Sequence, residues 1–335
     1  MHVSLGRLSV VLVLAASVGC QGAPAGSPAG LKQVRIAYES IVDMGKIPSL
    51  IAWEGVRDFG YEVLVKNYPS SETVSAAVLS GAADIGLADP SRIVNANLQG
   101  QDFLIFGIQN AIIDQLVSTS DITECGQLTG KSVSYDSPTS MTKALMYRYA
   151  EECPFEPEWL SIESSEVQAQ ALLSGQLVAA SLDFENAYLV TTTAPDRFHI
   201  LYQFAKEHPG LMGNGFYARK SYLEENGDLI VALLKAQIQT HRRIADDRQY
   251  LVDKAYTYLS NALPEGEEGL EYLADVVDLY VDGNVWGVNG GFDQAGADAT
   301  VQLYLVSGDL EEAVPLEQWG TLEYLNRALD EIGRR

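Results

Sequence analysis

The sequence predicts an α/β protein built in two similar halves, and three observations carry that expectation. From residue 33 onward, short β-branched runs alternate with helical patterns, as mostly parallel sheets flanked by helices require. The stretches VLSGAADIGLADPS (78–91) and LLSGQLVAASLDFE (172–185) echo each other as helix end, Ser-Gly, short strand and acidic loop. With 335 residues, 47% of them hydrophobic, the chain is long enough to bury two cores.

In chain order, the first element is no part of the fold. Arg7 supplies a positive start, and Leu8 to Val18 form an apolar run well short of the roughly 20 residues a membrane-spanning helix needs. Residues 1–19 are expected to be a secretory signal. Ser17, Val18 and Gly19 lead into Cys20 in a pattern that resembles the bacterial lipobox, whose cysteine is acylated and becomes the new N-terminus. An ordinary cleaved signal is the other reading. Residues 20–32, rich in Gly, Ala and Pro, bury little and make a tether. The expected location is extracytoplasmic, in the periplasm or at the outer surface, with lipid on Cys20 as the sole membrane attachment.

Strands are expected at 34–38, 61–68, 83–88, 103–108, 115–120, 131–136, 160–164, 178–184, 199–204 and 215–220. Between them, 70–81 predicts a helix in which Val74, Ala77 and Val78 share one face and Gly81 ends the run. A further helix of about four turns leads from the turn at Ser137 and Pro138 back toward Cys153. The start of the strand before it and the end of this helix share one end of a βα unit, which brings Cys125 and Cys153 within reach of a disulfide; two free buried thiols are the alternative. Beyond Lys220 the chain turns mostly helical.

Charge and motifs exclude several functions. The balance of 22 basic and 45 acidic side chains gives −23, and no segment concentrates Lys and Arg, so nucleic acid is not an expected partner. His2, His199, His208 and His241 form no HExxH, and neither CxxC nor GxSxG occurs. MGNGF and GVNGGF lack the helix and lysine of a phosphate loop, and the acidic run 264–278 reads as a solvated helix face. No catalytic residue, cofactor or metal is expected.

The motifs LSGAADIGLADPSRIV, LTGKSVSYDSPTSMTKAL, LLSGQLVAASLDFENA and GFYARKSYLEENGDLIVALLKA, in this order and spacing, resemble the type II periplasmic solute-binding proteins of ABC importers over most of residues 33–240. The branch concerned includes binders of sulfonates, nitrate, thiamine-precursor pyrimidines and riboflavin. The resemblance implies two lobes with a ligand cleft between them, residues 33–117 plus 210–335 in one and 118–209 in the other, with hinges near Ser118 and at 204–215. It also implies a monomer that closes on a small molecule and hands it to a membrane permease.

Ligand contacts are expected from loops after strand ends: Tyr38, Glu39 and Ser40; Tyr68 and Ser70; Asp89; Asn110; Asp136, Ser137 and Thr139; Asp183, Phe184, Glu185 and Asn186; and Phe216, with Trp286 closing from the helical tail. These loops offer carboxylates, amides and aromatic rings, with Lys46 and Arg92 the nearest cations. That chemistry favours a flat nitrogen heterocycle, riboflavin or a thiamine-precursor pyrimidine. The alternatives are a small anion such as a sulfonate, taurine or nitrate, and a pyrimidine-modifying enzyme on the same fold.

Overall fold

Two five-stranded sheets of one plan organise the molecule. The computed structural model describes residues 30–39, 43–260, 263 and 266–335. The expected signal, Cys20, most of the tether and Ser40 lie outside the described residues. The first sheet contains β1 (Lys32–Glu39), β2 (Tyr61–Tyr68), β3 (Ile85–Ala88), β4 (Phe103–Ile108) and β10 (Gly215–Arg219), in the order β2-β1-β3-β10-β4. The second contains β5 (Asp114–Thr119), β6 (Ser132–Tyr135), β7 (Glu158–Ser161), β8 (Ala179–Asp183) and β9 (Phe198–Gln203), in the order β7-β6-β8-β5-β9. In each sheet one strand is reversed, β10 in the first and β5 in the second. The reversed strand is in each case the one that arrives directly from the other sheet.

Every expected strand forms, the largest shift in position falling on β7. β7 begins earlier than expected because its parallel register with β6 starts at the pair Ser132 and Glu158, and the chain past Ser161 leaves the sheet. The first crossing between sheets runs through residues 109–113, ahead of the break expected after residue 117, since Asp114 to Ser118 already pair with β8. The second crossing, 204–214, begins with α7 (Phe204–Glu207).

The two crossings run against each other. Gln109 N–H donates to Asn214 O at 2.8 Å, Gly213 N–H to Asn110 O at 3.0 Å, and Ala111 and Met212 form an antiparallel bridge. A Cβ on Gly213 would lie 2.7 Å from the carbonyl oxygens of both Asn110 and Ala111, so the close approach requires glycine there.

Helices cover the sheets as their apolar spacing dictates. In α2 (Ser71–Ser80), Ser70 and Thr73 form a capping box, Val74, Ala77 and Val78 are buried, and Gly81 ends the helix at φ 74°. α3 (Pro90–Leu98) follows β3, while α5 (Ser165–Leu173) and α6 (Phe184–Thr193) flank β8 as α2 and α3 flank β3. α4 (Met141–Glu152) returns the chain so that Cys125 and Cys153 are joined as a disulfide, their Cα atoms 6.2 Å apart. Closing a loop with a sequence separation of 28 stabilises the fold by about 3–4 kcal/mol.

The tail comprises α8 (Lys220–Glu225), α9 (Gly227–Asp246), α10 (Arg248–Leu259), α11 (Glu267–Asp282), α12 (Gln294–Val306) and α13 (Glu323–Ile332). α9 packs on α1 (Ile47–Glu54) and α13, whereas α11 meets α6 and α12 meets α4, so the tail touches both halves. A separate apolar cluster at this junction joins Met44, Ile47, Phe184, Val276, Tyr280 and Trp286. Full burial of such side chains contributes about 1.5–3 kcal/mol each. Among the described residues no helix is long and apolar enough to cross a membrane.

Candidate functional site

The crossings join the C-terminal edges of the two sheets, so these edges face each other. Between them lies a cleft of about 960 Å³. The first sheet's side supplies Glu39, Asp43, Lys46, Ser71, Asp89 and Arg92. Gln109, Asn110 and Asn214 come from the crossings, Ser165, Glu166, Asp183, Glu185 and Asn186 from the second half, and Glu268, Tyr272 and Tyr280 from α11.

Six expected residues line this cleft: Glu39, Asp89, Asn110, Asp183, Glu185 and Asn186. The other expected residues that the structure describes are outside its lining, each for a visible reason. Tyr38 and Phe216 sit on the buried face of the first sheet, where Trp53 packs 5.9 Å from the Tyr38 ring and 5.3 Å from that of Phe216. Tyr68 is on the edge strand β2 beneath the Lys66 ammonium. Ser70 is spent on capping α2. Asp136 accepts from Gln168 Nε2 at 2.6 Å, the Ser137 N–H donates to Ser140 Oγ, and Thr139 is exposed beside them. Phe184 and Trp286 are both buried against Tyr280, edge-on at 5.5 Å and stacked at 5.1 Å respectively, so Trp286 backs the cleft rather than closing over it.

Residues missed in the sequence include Asp43, Tyr272, Tyr280 and the segment Ser164–Ser165–Glu166. The last carried a signal, for Ser164-Ser165-Glu166 at the start of α5 repeats Ser70-Ser71-Glu72 at the start of α2. Ser164 holds φ at 81°, a left-handed conformation uncommon for a residue with a side chain.

Electrostatics separate the two walls. Asp89 caps α3, accepting from Ser91 N–H at 3.0 Å, from Arg92 Nε at 3.2 Å and from the Tyr304 hydroxyl at 3.3 Å. Arg92 also bonds Glu72 at 3.1 Å, and Lys46 pairs with Asp43. Both cations in the lining are therefore already neutralised by carboxylates. On the opposite wall, Asp183 caps α6, accepting from Asn186 N–H at 2.8 Å and from its side-chain amide at 3.1 Å. Burial raises its pKa despite those bonds. Glu185 accepts from Met44 N–H at 3.0 Å and Tyr280 O–H at 3.3 Å, tying the second half to the first loop and the tail. Burial, then the Asp183 and Asp43 charges, push its carboxyl up to about 7. Among the described residues no group of three His, Cys, Asp or Glu is disposed to hold a metal ion.

Solved structures share this architecture. A ligand-binding component of an ABC-type import system from Staphylococcus aureus, with zinc bound, superposes with a TM-score of 0.70 at 11% identity, covering 89% of this chain and 99% of that one. The nitrate-binding protein of Synechocystis PCC 6803 gives 0.67 at 12% identity, covering 90% and 89%. The periplasmic aliphatic sulphonate binding protein of Escherichia coli gives 0.65 at 15% identity, covering 87% and 92%. Among curated protein sequences none matches. These likenesses establish the two-lobed periplasmic-binding-protein fold expected of a type II solute binder. A model described as NMT1/THI5 like matches residues 57–247, more than half of the sequence, and the chain accordingly belongs to the NMT1/THI5-like family.

Proposed function

We propose that this chain is the extracytoplasmic substrate-binding component of an ABC importer, a binder rather than an enzyme, which captures a small flat nitrogen heterocycle between its lobes and delivers it to a membrane permease. The single observation behind this reading is the cleft of about 960 Å³ between the facing edges of two sheets linked by paired crossings. Such a geometry lets two rigid halves close on a ligand and signal its presence by their closure. The heterocycle follows from the lining, where carboxylates and amides accept from ring N–H and amino groups and the Tyr272 ring offers a face for stacking. A thiamine-precursor aminopyrimidine and riboflavin are the first compounds to test. The protein acts as a monomer held to the membrane by lipid on Cys20.

A small anion is the second reading. The related folds that bind nitrate and sulphonate favour it, as do the starts of α2 and α5, whose Ser71 and Ser165 line the cleft. Thermal unfolding with each compound separates the two, because a ligand that binds only the folded state raises its melting temperature. A rise with the aminopyrimidine or riboflavin supports the heterocycle; a rise confined to taurine or nitrate overturns it. Product formed from the aminopyrimidine would overturn the binding role. Cys20→Ala is expected to release the protein from membranes, and continued attachment would remove the lipid anchor.

A further inference from the structure

Along and behind the second wall of the cleft stand four acidic side chains. Asp114, Asp183 and Asp136 stand at the tips of β5, β8 and just past β6, which are neighbours in the sheet, and Asp114 lies opposite Asp183 in register. Glu185 follows in the first turn of α6. Burial is the main cause raising the pKa of all four, with repulsion from neighbouring carboxylates adding to it for each. Among the described residues no Lys or Arg forms an ion pair with any of them.

An independent observation lies at the floor of the cleft. Asn110 is 4% exposed, and its Nδ2 donates to Ala111 O at 2.8 Å, which fixes the amide orientation and identifies the other atom as oxygen. That Oδ1 has no partner among the described residues, and neither has Oε1 of Gln109, which is 3% exposed. An unpartnered buried acceptor costs about 1–3 kcal/mol, so a group bringing N–H donors is favoured here. An anion at this wall would meet carboxylates and carbonyl oxygens.

We infer that the ligand is taken up as a cation, a planar amidinium-like edge whose N–H groups are directed to the carboxylates of Asp183 and Glu185 and to Oδ1 of Asn110. This rests on the cleft being the ligand site and narrows its ligand class. An aminopyrimidine reaches that state by accepting a proton on a ring nitrogen, whereas riboflavin stays neutral. Charge-assisted bonds are roughly twice as strong as neutral ones, so the proton decides affinity.

The test titrates the folded protein calorimetrically with benzamidine, benzamide and benzenesulfonate, three flat probes of similar size carrying positive, zero and negative charge, and repeats it with Asp183→Asn. Asparagine still caps a helix, so this variant removes charge while keeping α6. Benzamidinium is expected to bind at least about tenfold more tightly than benzamide, with no heat from benzenesulfonate. Asp183→Asn is expected to weaken benzamidinium by about tenfold, to weaken benzamide less, and to keep the melting temperature at or above that of the wild type because the cap stays and repulsion with Glu185 is relieved. Equal binding of benzamide, tighter binding of benzenesulfonate, no binding of any of the three at millimolar concentration, or an unaffected Asp183→Asn variant overturns the inference. A heterocycle that binds wild type and Asp183→Asn equally would leave the proposed function standing while removing the cation.

Discussion

Asp89 and Asp183 occupy the same place in two copies of one design. Each ends a short central strand, each caps the following helix, and each lines the cleft. They differ in what stands three residues later. At Arg92 the chain supplies a guanidinium that neutralises Asp89 at once; at Asn186 it supplies an amide that orients Asp183 and leaves its charge uncompensated. One backbone device thus yields a structural tie on one wall and an open acceptor on the other. Local geometry is set by the cap, while chemical use is set by its neighbour.

The largest expected contrast is in stability. Asp89→Ala removes a cap, an ion-pair partner of Arg92 and the acceptor of the buried Tyr304 hydroxyl, and is expected to cost about 3 kcal/mol in urea unfolding. Asp183→Ala loses its cap but relieves repulsion, and is expected to cost no more than about 1 kcal/mol. Equal costs would break the comparison.

Glu185 gives the next effect. Its carboxyl ordinarily titrates near 4.5 and is held near 7 in the fold by burial and by Asp183 and Asp43, with Tyr280 and the Met44 N–H opposing. Between those values the native state holds more protons than the unfolded one, so this group's contribution to stability falls as pH rises through them. Glu185→Gln is expected to stabilise the protein by about 2 kcal/mol at pH ~8 and to change nothing at pH ~4, screening by water in the open cleft keeping the gain below the full shift. A gain of the same size at both pH values would refute the assignment.

Exchanging the third residue sharpens the contrast further. Arg92→Asn is expected to cost about 1 kcal/mol, since Asp89 keeps its cap but loses its cation. Asn186→Arg should give the second wall the first wall's pairing and bring the Glu185 pKa down toward 4.5, read by carboxyl NMR. An unmoved Glu185 titration would show that burial alone, without its charged neighbours, sets the value.

Much of this was legible in the sequence because the signals are local. β-branched runs marked the strands, Ser-Gly marked the helix ends, and the repeated acidic loop located both central tips. Phe216 was misplaced because β10 is buried almost throughout, and a strand without alternation does not say which way a ring points, whereas Tyr38 shares the buried face of β1 with Val34 and Ile36, an alternation that its place near the strand end obscured. α11 was hidden differently. Its acidic residues announce a solvated face, and nothing local shows that Tyr272 and Tyr280 turn toward a cleft assembled largely from segments distant in the sequence.

The paired crossings carry a last consequence. Two independent strings would let the lobes shear, twist and drift apart, but Gly213 allows the strings to be stitched into one ribbon. A ribbon flexes readily across its flat side and resists sliding along its edge. The relative movement that such a ribbon permits is thereby reduced toward a single swing, described by one angle.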